Sequence, residues 1–302
     1  KVVPVAKRMQ DLYYDLDLSP LYVLPETSAQ ERLAKIRPYL DEIDPEMTQT
    51  FDYMQENQLY DMDPQAGKAD IGFTLKLSYY NDAFIFDSPY HHYYDYTTAI
   101  HEFGHYNYMF RNVEDILLEQ SNIDLCEIHS QGLEMLFHEY NDQILEGDAG
   151  ELFQFMEVFQ MAQNTIQAAL ISDFEVQIYE NPDMTLEEIN KLYLNLSRKY
   201  GTYYDSRIEE LYSWVDTSHI FTSPCYYIGY STSAFTSLDL LALSERDRHE
   251  AVEKYMELTT LPTYAPYCSA IEYVGLRDIF EEGVPAQIMQ EVERILEESV
   301  EE

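Results

Sequence analysis

Apolar residues recur with two different periods along this chain of 302 residues. From about residue 94 onward they fall three and four positions apart, the spacing of helices packed on a core. Between Gly72 and Phe86 the period is closer to two. Gly72-Phe73-Thr74-Leu75-Lys76-Leu77-Ser78-Tyr79 alternates as a strand does, Ala83-Phe84-Ile85-Phe86 reads as a second strand, and Asn81-Asp82 supply the turn. Ahead of Gly67, the prolines Pro20, Pro25, Pro38, Pro45 and Pro64 break the apolar clusters. That pattern predicts an extended or strand-like lead-in, a helix near Ala29 to Tyr39 and another near Pro45 to Asn57. Thr185-Leu186-Glu187-Glu188 has the form of a capping box, opening a helix that runs to about Tyr200 before Gly201. Ser244-Glu245-Arg246-Asp247 opens another helix, and Pro285 the last. The expectation is a mainly α chain with a small β-sheet, residues 1–66 forming a mostly helical lead-in and residues 67–302 one domain.

One helical segment carries a pattern that packing does not require. In His101-Glu102-Phe103-Gly104-His105 the two histidines stand at i and i+4, so both imidazoles project from one face and can reach a single zinc ion. Glu102 lies about a quarter turn round the same helix, where a carboxylate can hold and deprotonate a water. Tyr96 to Ile100, with Phe103, give that helix an apolar side. Gly104 costs about 1 kcal/mol relative to alanine in a helix interior, and close approach of another helix would explain it.

A catalytic zinc has three protein ligands and an open position, so one ligand remains to be found. Glu127, on the helix expected over Asp124 to Glu134, is the choice; Asp124 and Glu119 are the other candidates. Glu134 lies two turns further along the Glu127 face, where it either orients a ligand imidazole or is simply solvated. Cys126 and His129 point elsewhere and read as packing residues. Whether the strand from Gly72 is a sheet edge that pairs with an extended peptide, or an ordinary core hairpin, the sequence leaves open.

Composition narrows the partners. Fifty-six acidic against 18 basic residues give a formal charge of -38, which opposes nucleic acid and anionic membranes and favours solubility. Cys126, Cys225 and Cys268 are too few for a disulfide framework and point to a reducing, cytoplasmic setting. No run approaches the roughly 18 apolar residues of a membrane span, and Lys1-Val2-Val3-Pro4 is not an export signal. The chain starts at Lys1 and not at methionine, the expectation for a fragment or a trimmed product.

Far from the histidine helix, His219-Ile220-Phe221-Thr222-Ser223-Pro224-Cys225-Tyr226-Tyr227-Ile228-Gly229-Tyr230 gathers a histidine and three tyrosines. Such donors suit the negative charge that builds on a carbonyl oxygen during amide hydrolysis. On a helix, Tyr226 and Tyr230 share one face and Tyr227 and Tyr230 another. Among 28 tyrosines the cluster alone says little.

Together with the His101 to His105 helix and the segment from Glu127 to Glu134, it resembles the oligoendopeptidase F and thimet oligopeptidase group of zinc metallopeptidases. Gly67-Lys68, Gly72-Phe73 and Phe84-Ile85-Phe86 resemble that group's strands, and the similarity spans about residues 60 to 290.

The resemblance implies a zincin-type catalytic domain with thermolysin-like active helices. It implies one Zn2+ per chain on His101, His105 and Glu127, with Glu102 as general base. His219 and Tyr230 would assist the transition state, Tyr226 or Tyr227 would hold substrate, and Gly72 and Phe73 would begin the substrate-binding strand. The group's site lies in a deep channel that admits short unstructured oligopeptides. Two departures stand out: most of the group's N-terminal helical part, one channel wall, is absent here, and the strand start reads Ile71-Gly72-Phe73. The expected activity is endopeptidase cleavage of oligopeptides. The alternatives are a helical zinc carboxypeptidase or dipeptidyl carboxypeptidase, and a catalytically idle metal- or peptide-binding protein. Oligomeric state and cleavage preference are not legible.

Overall fold

The computed structural model describes residues 2–112, 123–145, 147–202, 212–262 and 264–301. Helix α1 (Val2–Tyr14) opens the chain where the sequence suggested extended structure. Pro4 sits in its first turn, where a missing N–H costs nothing, and Val5 and Met9 are buried. Helix α2 (Ala29–Ile43) begins at a capping box between Ser28 and Glu31 and carries Pro38 inside it, outrunning the expected end. Helix α3 (Pro45–Glu56) is capped by Asp44, whose side chain accepts from the N–H groups of Glu46 and Met47.

Three strands follow: β1 (Tyr60–Asp61), β2 (Phe73–Leu77) and β3 (Asp82–Phe86), ordered β1-β3-β2. The β2–β3 hairpin pairs Phe73 with Phe86 and Leu77 with Asp82, so Asp82 belongs to the strand and the turn precedes it. The two-residue β1 runs parallel to β3, with Tyr60 opposite Ile85, a pairing too short to leave a sequence signal. Strand β2 ends the sheet order and lies over α4 (Tyr94–Arg111), the helix of the two histidines.

After β3, the described chain is helical: α5 (Ile123–Phe137), α6 (Asn141–Ile144), α7 (Asp148–Glu180), α8 (Leu186–Tyr200), α9 (His219–Thr222), α10 (Ile228–Ser244), α11 (Arg248–Leu258), α12 (Tyr267–Val274) and α13 (Val284–Glu301). The capping box at Thr185 and the stop at Gly201 stand as expected. Near residue 244 the expectation needs correcting. Ser244 closes α10, and the cap of α11 is Asp247, which accepts from the Glu250 N–H.

Helix α10 lies at the centre, buried along nearly its whole length against α5 and α7. The main apolar core runs from Val5 and Met9 on α1 to Val292 and Leu296 on α13. A smaller cluster, Leu170, Ile171, Phe174, Tyr193, Leu196, Trp214 and Ile220, joins the second half of α7 to α8 and seats the one-turn helix α9. Burying Ile220 therefore fixes where its neighbour His219 points. No described helix is long and apolar enough to cross a membrane.

Candidate metal centre

Helices α4 and α5 meet at a glycine. A Cβ built on Gly104 would lie 2.4 Å from the His129 carbonyl oxygen and 2.7 Å from Ser130 Cα, so only hydrogen fits between the two backbones. Tyr255 of α11 donates its hydroxyl to that same carbonyl at 2.6 Å, which holds α5 in place from the other side. The contact places the second helix of the site within a carboxylate's reach of the histidines.

Across that contact, the Nε2 atoms of His101 and His105 each lie 3.4 Å from Glu127 Oε2. One ligand atom from each of these three residues falls within 4.8 Å of the others. Zinc bonds of about 2.0–2.2 Å in a tetrahedral arrangement put donor atoms roughly 3.3–3.6 Å apart, so two imidazoles and a carboxylate at this spacing fit a zinc ion. Ser130 donates its hydroxyl to Glu127 Oε2 at 3.1 Å and steadies that carboxylate. Of the alternative ligands, Glu119 and the side chain of Asp124 lie outside the described residues.

Glu134 sits where a ligand-orienting carboxylate is needed: its Oε1 is 2.5 Å from His101 Nδ1. The hydrogen bond leaves Nε2 as the face turned to Glu127. Burial opposes charge on His101, but the hydrogen bonds with Glu127 and Glu134 outweigh it and hold the imidazole well above its ordinary range. Burial likewise opposes charge on Glu127, yet the two imidazoles hold it well below the carboxylate range. A cation or protons are thus strongly favoured at this point.

Glu102 is buried on α4 beside the cluster, and Thr74 of β2 donates its hydroxyl to Glu102 Oε2 at 2.6 Å. The strand next to the helix therefore aims the carboxylate. Gly72, just ahead of β2, brings the chain so close that an added Cβ would stand 3.1 Å from Thr98 Cγ2 and 3.4 Å from Glu102 Oε1. Phe73 turns away to stack on Phe86 at 5.1 Å.

The distal cluster folds over the same point. The ring of His219 on α9 lies 5.2 Å from that of Tyr226 and 5.9 Å from that of Tyr230. Tyr226 stands just ahead of α10, after a bend at Cys225 whose φ is 63°, and its ring lies 5.2 Å from that of Tyr230, four positions on. Burial, followed by the negative charge of Glu127, pushes the Tyr226 hydroxyl up to about 12 and raises Tyr230 further. Both phenols stay protonated donors. Tyr227 joins them, its ring 5.4 Å from that of His219 and 5.3 Å from that of Tyr230, while also packing against the smaller apolar cluster.

His129 is a packing residue, as read, whereas Cys126 is only partly buried, beside Glu127. His129 is buried, stacked on Tyr108 at 3.8 Å and held down to about 3 by burial and by the charge of His105. Burial pushes the Cys126 thiol up to about 12.

Three residues near the site escaped the sequence reading: Thr74, Ser130 and Glu157. Glu157 is buried on α7, accepts a hydrogen bond from Thr97, and is pushed up to about 8 by burial and by Glu134. Its signal was available, an acid inside the apolar run Phe155-Met156-Glu157-Val158-Phe159.

No family model and no curated protein matches the sequence. Solved structures do match. The fold superposes on a protein described as an oligoendopeptidase F with a TM-score of 0.86 and 24% identity, covering 98% of this chain and 56% of that one. PZ peptidase A, solved with an inhibitor, gives 0.86 and 23% over 98% and 56%. An oligoendopeptidase F from Bacillus anthracis gives 0.76 and 22% over 91% and 47%. The chain thus spans about half the length of the structures it matches. The mainly helical architecture with a small sheet that the sequence suggested is the fold shared with oligoendopeptidase F and PZ peptidase A.

Proposed function

We propose that this chain is a zinc-dependent endopeptidase acting on internal bonds of short, unstructured oligopeptides. The observation that carries the reading is the convergence of His101, His105 and Glu127 beside a carboxylate, Glu102, that belongs to none of the three contacts. A zinc ion held by these side chains supplies Lewis acidity, acidifying water and polarising a carbonyl.

The chain's own residues do the rest. Glu102, held by Thr74, takes the proton of the attacking water and delivers it to the leaving amine. Tyr230, Tyr226 and His219 donate hydrogen bonds to the oxyanion that develops on the former carbonyl oxygen. Strand β2, at the end of the sheet order, offers its backbone to an extended peptide, and Gly72 lets that peptide approach Glu102 closely. Glu134 keeps the His101 ring turned toward Glu127.

The test is a quenched peptide blocked at both ends, incubated with zinc-loaded protein. Internal cleavage supports the reading, and a Glu102→Gln variant should keep zinc while losing about 10²–10⁴ in turnover. Cleavage only of peptides with a free C-terminus would make the protein a carboxypeptidase or dipeptidyl carboxypeptidase. A peptide that binds and stays intact would make it a binding protein.

A further inference from the structure

A cavity of about 370 Å³ opens beside His101 and Glu102, walled by Thr97 of α4, Gln131 and Glu134 of α5, and Glu157 and Gln160 of α7. Its size is at the lower end of the range for ligand pockets, about 300–1,000 Å³. Neither lysine nor arginine is among its described lining residues, and the His101 imidazole that shares the cavity is engaged by Glu134 and Glu127, not by Glu157. Glu134 is engaged with His101 Nδ1, whereas among the described residues Glu157 has one hydrogen bond, from Thr97 to Oε1.

A second observation is independent of the acids. Gln131 is only 5% exposed and lines the cavity, yet its side-chain oxygen has no hydrogen-bond partner among the described residues. A buried acceptor left unmade is costly, and an acid buried without a counter-charge must hold a proton in its place. Both deficits are met by one kind of ligand: a positively charged group carrying several N–H donors at the end of a chain long enough to reach in from the peptide.

We propose that this cavity takes the side chain of a lysine or arginine that flanks the scissile bond, with Glu157 as its anionic partner and the Gln131 oxygen as a second acceptor. The inference rests on the peptidase reading above. The formal charge of -38 acts in the same direction, concentrating basic peptides near the protein before they dock. Burial and Glu134 make an empty Glu157 hold its proton, and an incoming cation replaces that proton as the neutralising charge.

The experiment uses matched quenched peptides that differ only in one residue on either side of the cleaved bond: lysine, arginine, norleucine or glutamate. The lysine and arginine peptides should exceed norleucine in kcat/KM by about 10–100-fold at one of the two positions, the worth of a desolvated charge-assisted hydrogen bond. Glu157→Gln should collapse that ratio toward one, and Glu157→Lys should turn the preference toward glutamate. If the buried lysine prevents folding, the isosteric glutamine variant still decides. No cationic preference in the wild type, or a preference that survives Glu157→Gln, overturns the proposal while leaving peptidase activity intact.

Were no peptide cleaved, calorimetric binding of the same peptides to zinc-loaded protein would still read the cavity. The lysine peptide should then bind more tightly than norleucine in the wild type and lose that advantage in Glu157→Gln. Equal binding would overturn the proposal.

Discussion

Replacing Gly104 by alanine sets two physical rules against each other. On an isolated helix alanine is the better residue by about 1 kcal/mol, so propensity alone forecasts a more stable protein. In this fold the new methyl would stand 2.4 Å from the His129 carbonyl oxygen and 2.7 Å from Ser130 Cα, where ordinary contact begins near 3.4 Å. The obstacle is backbone and cannot rotate aside, and the Tyr255 hydroxyl anchors that carbonyl from behind. Relief requires α4 and α5 to separate by roughly 1 Å, and such overpacking costs about 1–3 kcal/mol or more. The net expectation is a loss of about 1–2 kcal/mol, a few degrees in Tm. Glu127 rides on α5 close to the contact, and its Oε2 lies 3.4 Å from both imidazoles. A shift of that size spoils the donor spacing, so zinc affinity should fall at least about tenfold. Thermal unfolding of the metal-free protein and chelator competition for zinc measure the two effects separately. A Gly104→Ala protein that melts as high as the wild type and binds zinc as tightly would refute the close-approach argument.

Glu134→Gln keeps the shape of the side chain and removes its charge from His101 Nδ1, and should lower zinc affinity about 10–100-fold in the same competition assay. Tyr230→Phe should cut kcat on a cleaved peptide by about 10²–10³ with zinc content unchanged, since its hydroxyl is a donor and not a ligand. Glu157 titrates near 8 in the folded protein and near 4.5 when unfolded, so between those values the folded state holds the extra proton and stability falls as pH rises, by at most about 1.4 kcal/mol per pH unit, levelling off above 8. Metal-free Glu157→Gln lacks this penalty. Its Tm advantage over the wild type should therefore grow from pH 5 to pH 8, and an advantage independent of pH would contradict the placement of that acid.

The elements that were legible in the sequence are those whose signal is local. The i, i+4 histidines, the glycine between them and the capping box at Thr185 each follow from helix geometry, and each stands where it was read. The hairpin was visible because β2 and β3 alternate, although its turn precedes Asp82. What failed was local pattern overridden by tertiary packing. Pro20 and Pro25 beside short apolar clusters suggested an extended lead-in, yet burial of Val5 and Met9 on the main core sustains α1. Pro38 suggested the end of α2, but the helix continues to Ile43, which is buried. Tyr226 meets Tyr230 as the four-residue spacing suggested, although α10 itself begins only at Ile228. Thr74 and Glu157 reach the site from a strand and from a distant helix. No spacing rule links such residues to the histidines, and only the packing of β2 and α7 brings them there.

The central claim is that two imidazoles and one carboxylate from α4 and α5 form a single metal site. Its most direct measurement is the zinc content of the purified chain, equilibrated with zinc and dialysed, alongside His105→Ala and Glu127→Ala. The account predicts one zinc per chain in the wild type, with X-ray absorption reporting two imidazole nitrogens and a carboxylate oxygen, and loss of the metal from both variants. A wild-type chain that retains no zinc, or variants that retain it undiminished, would contradict the account.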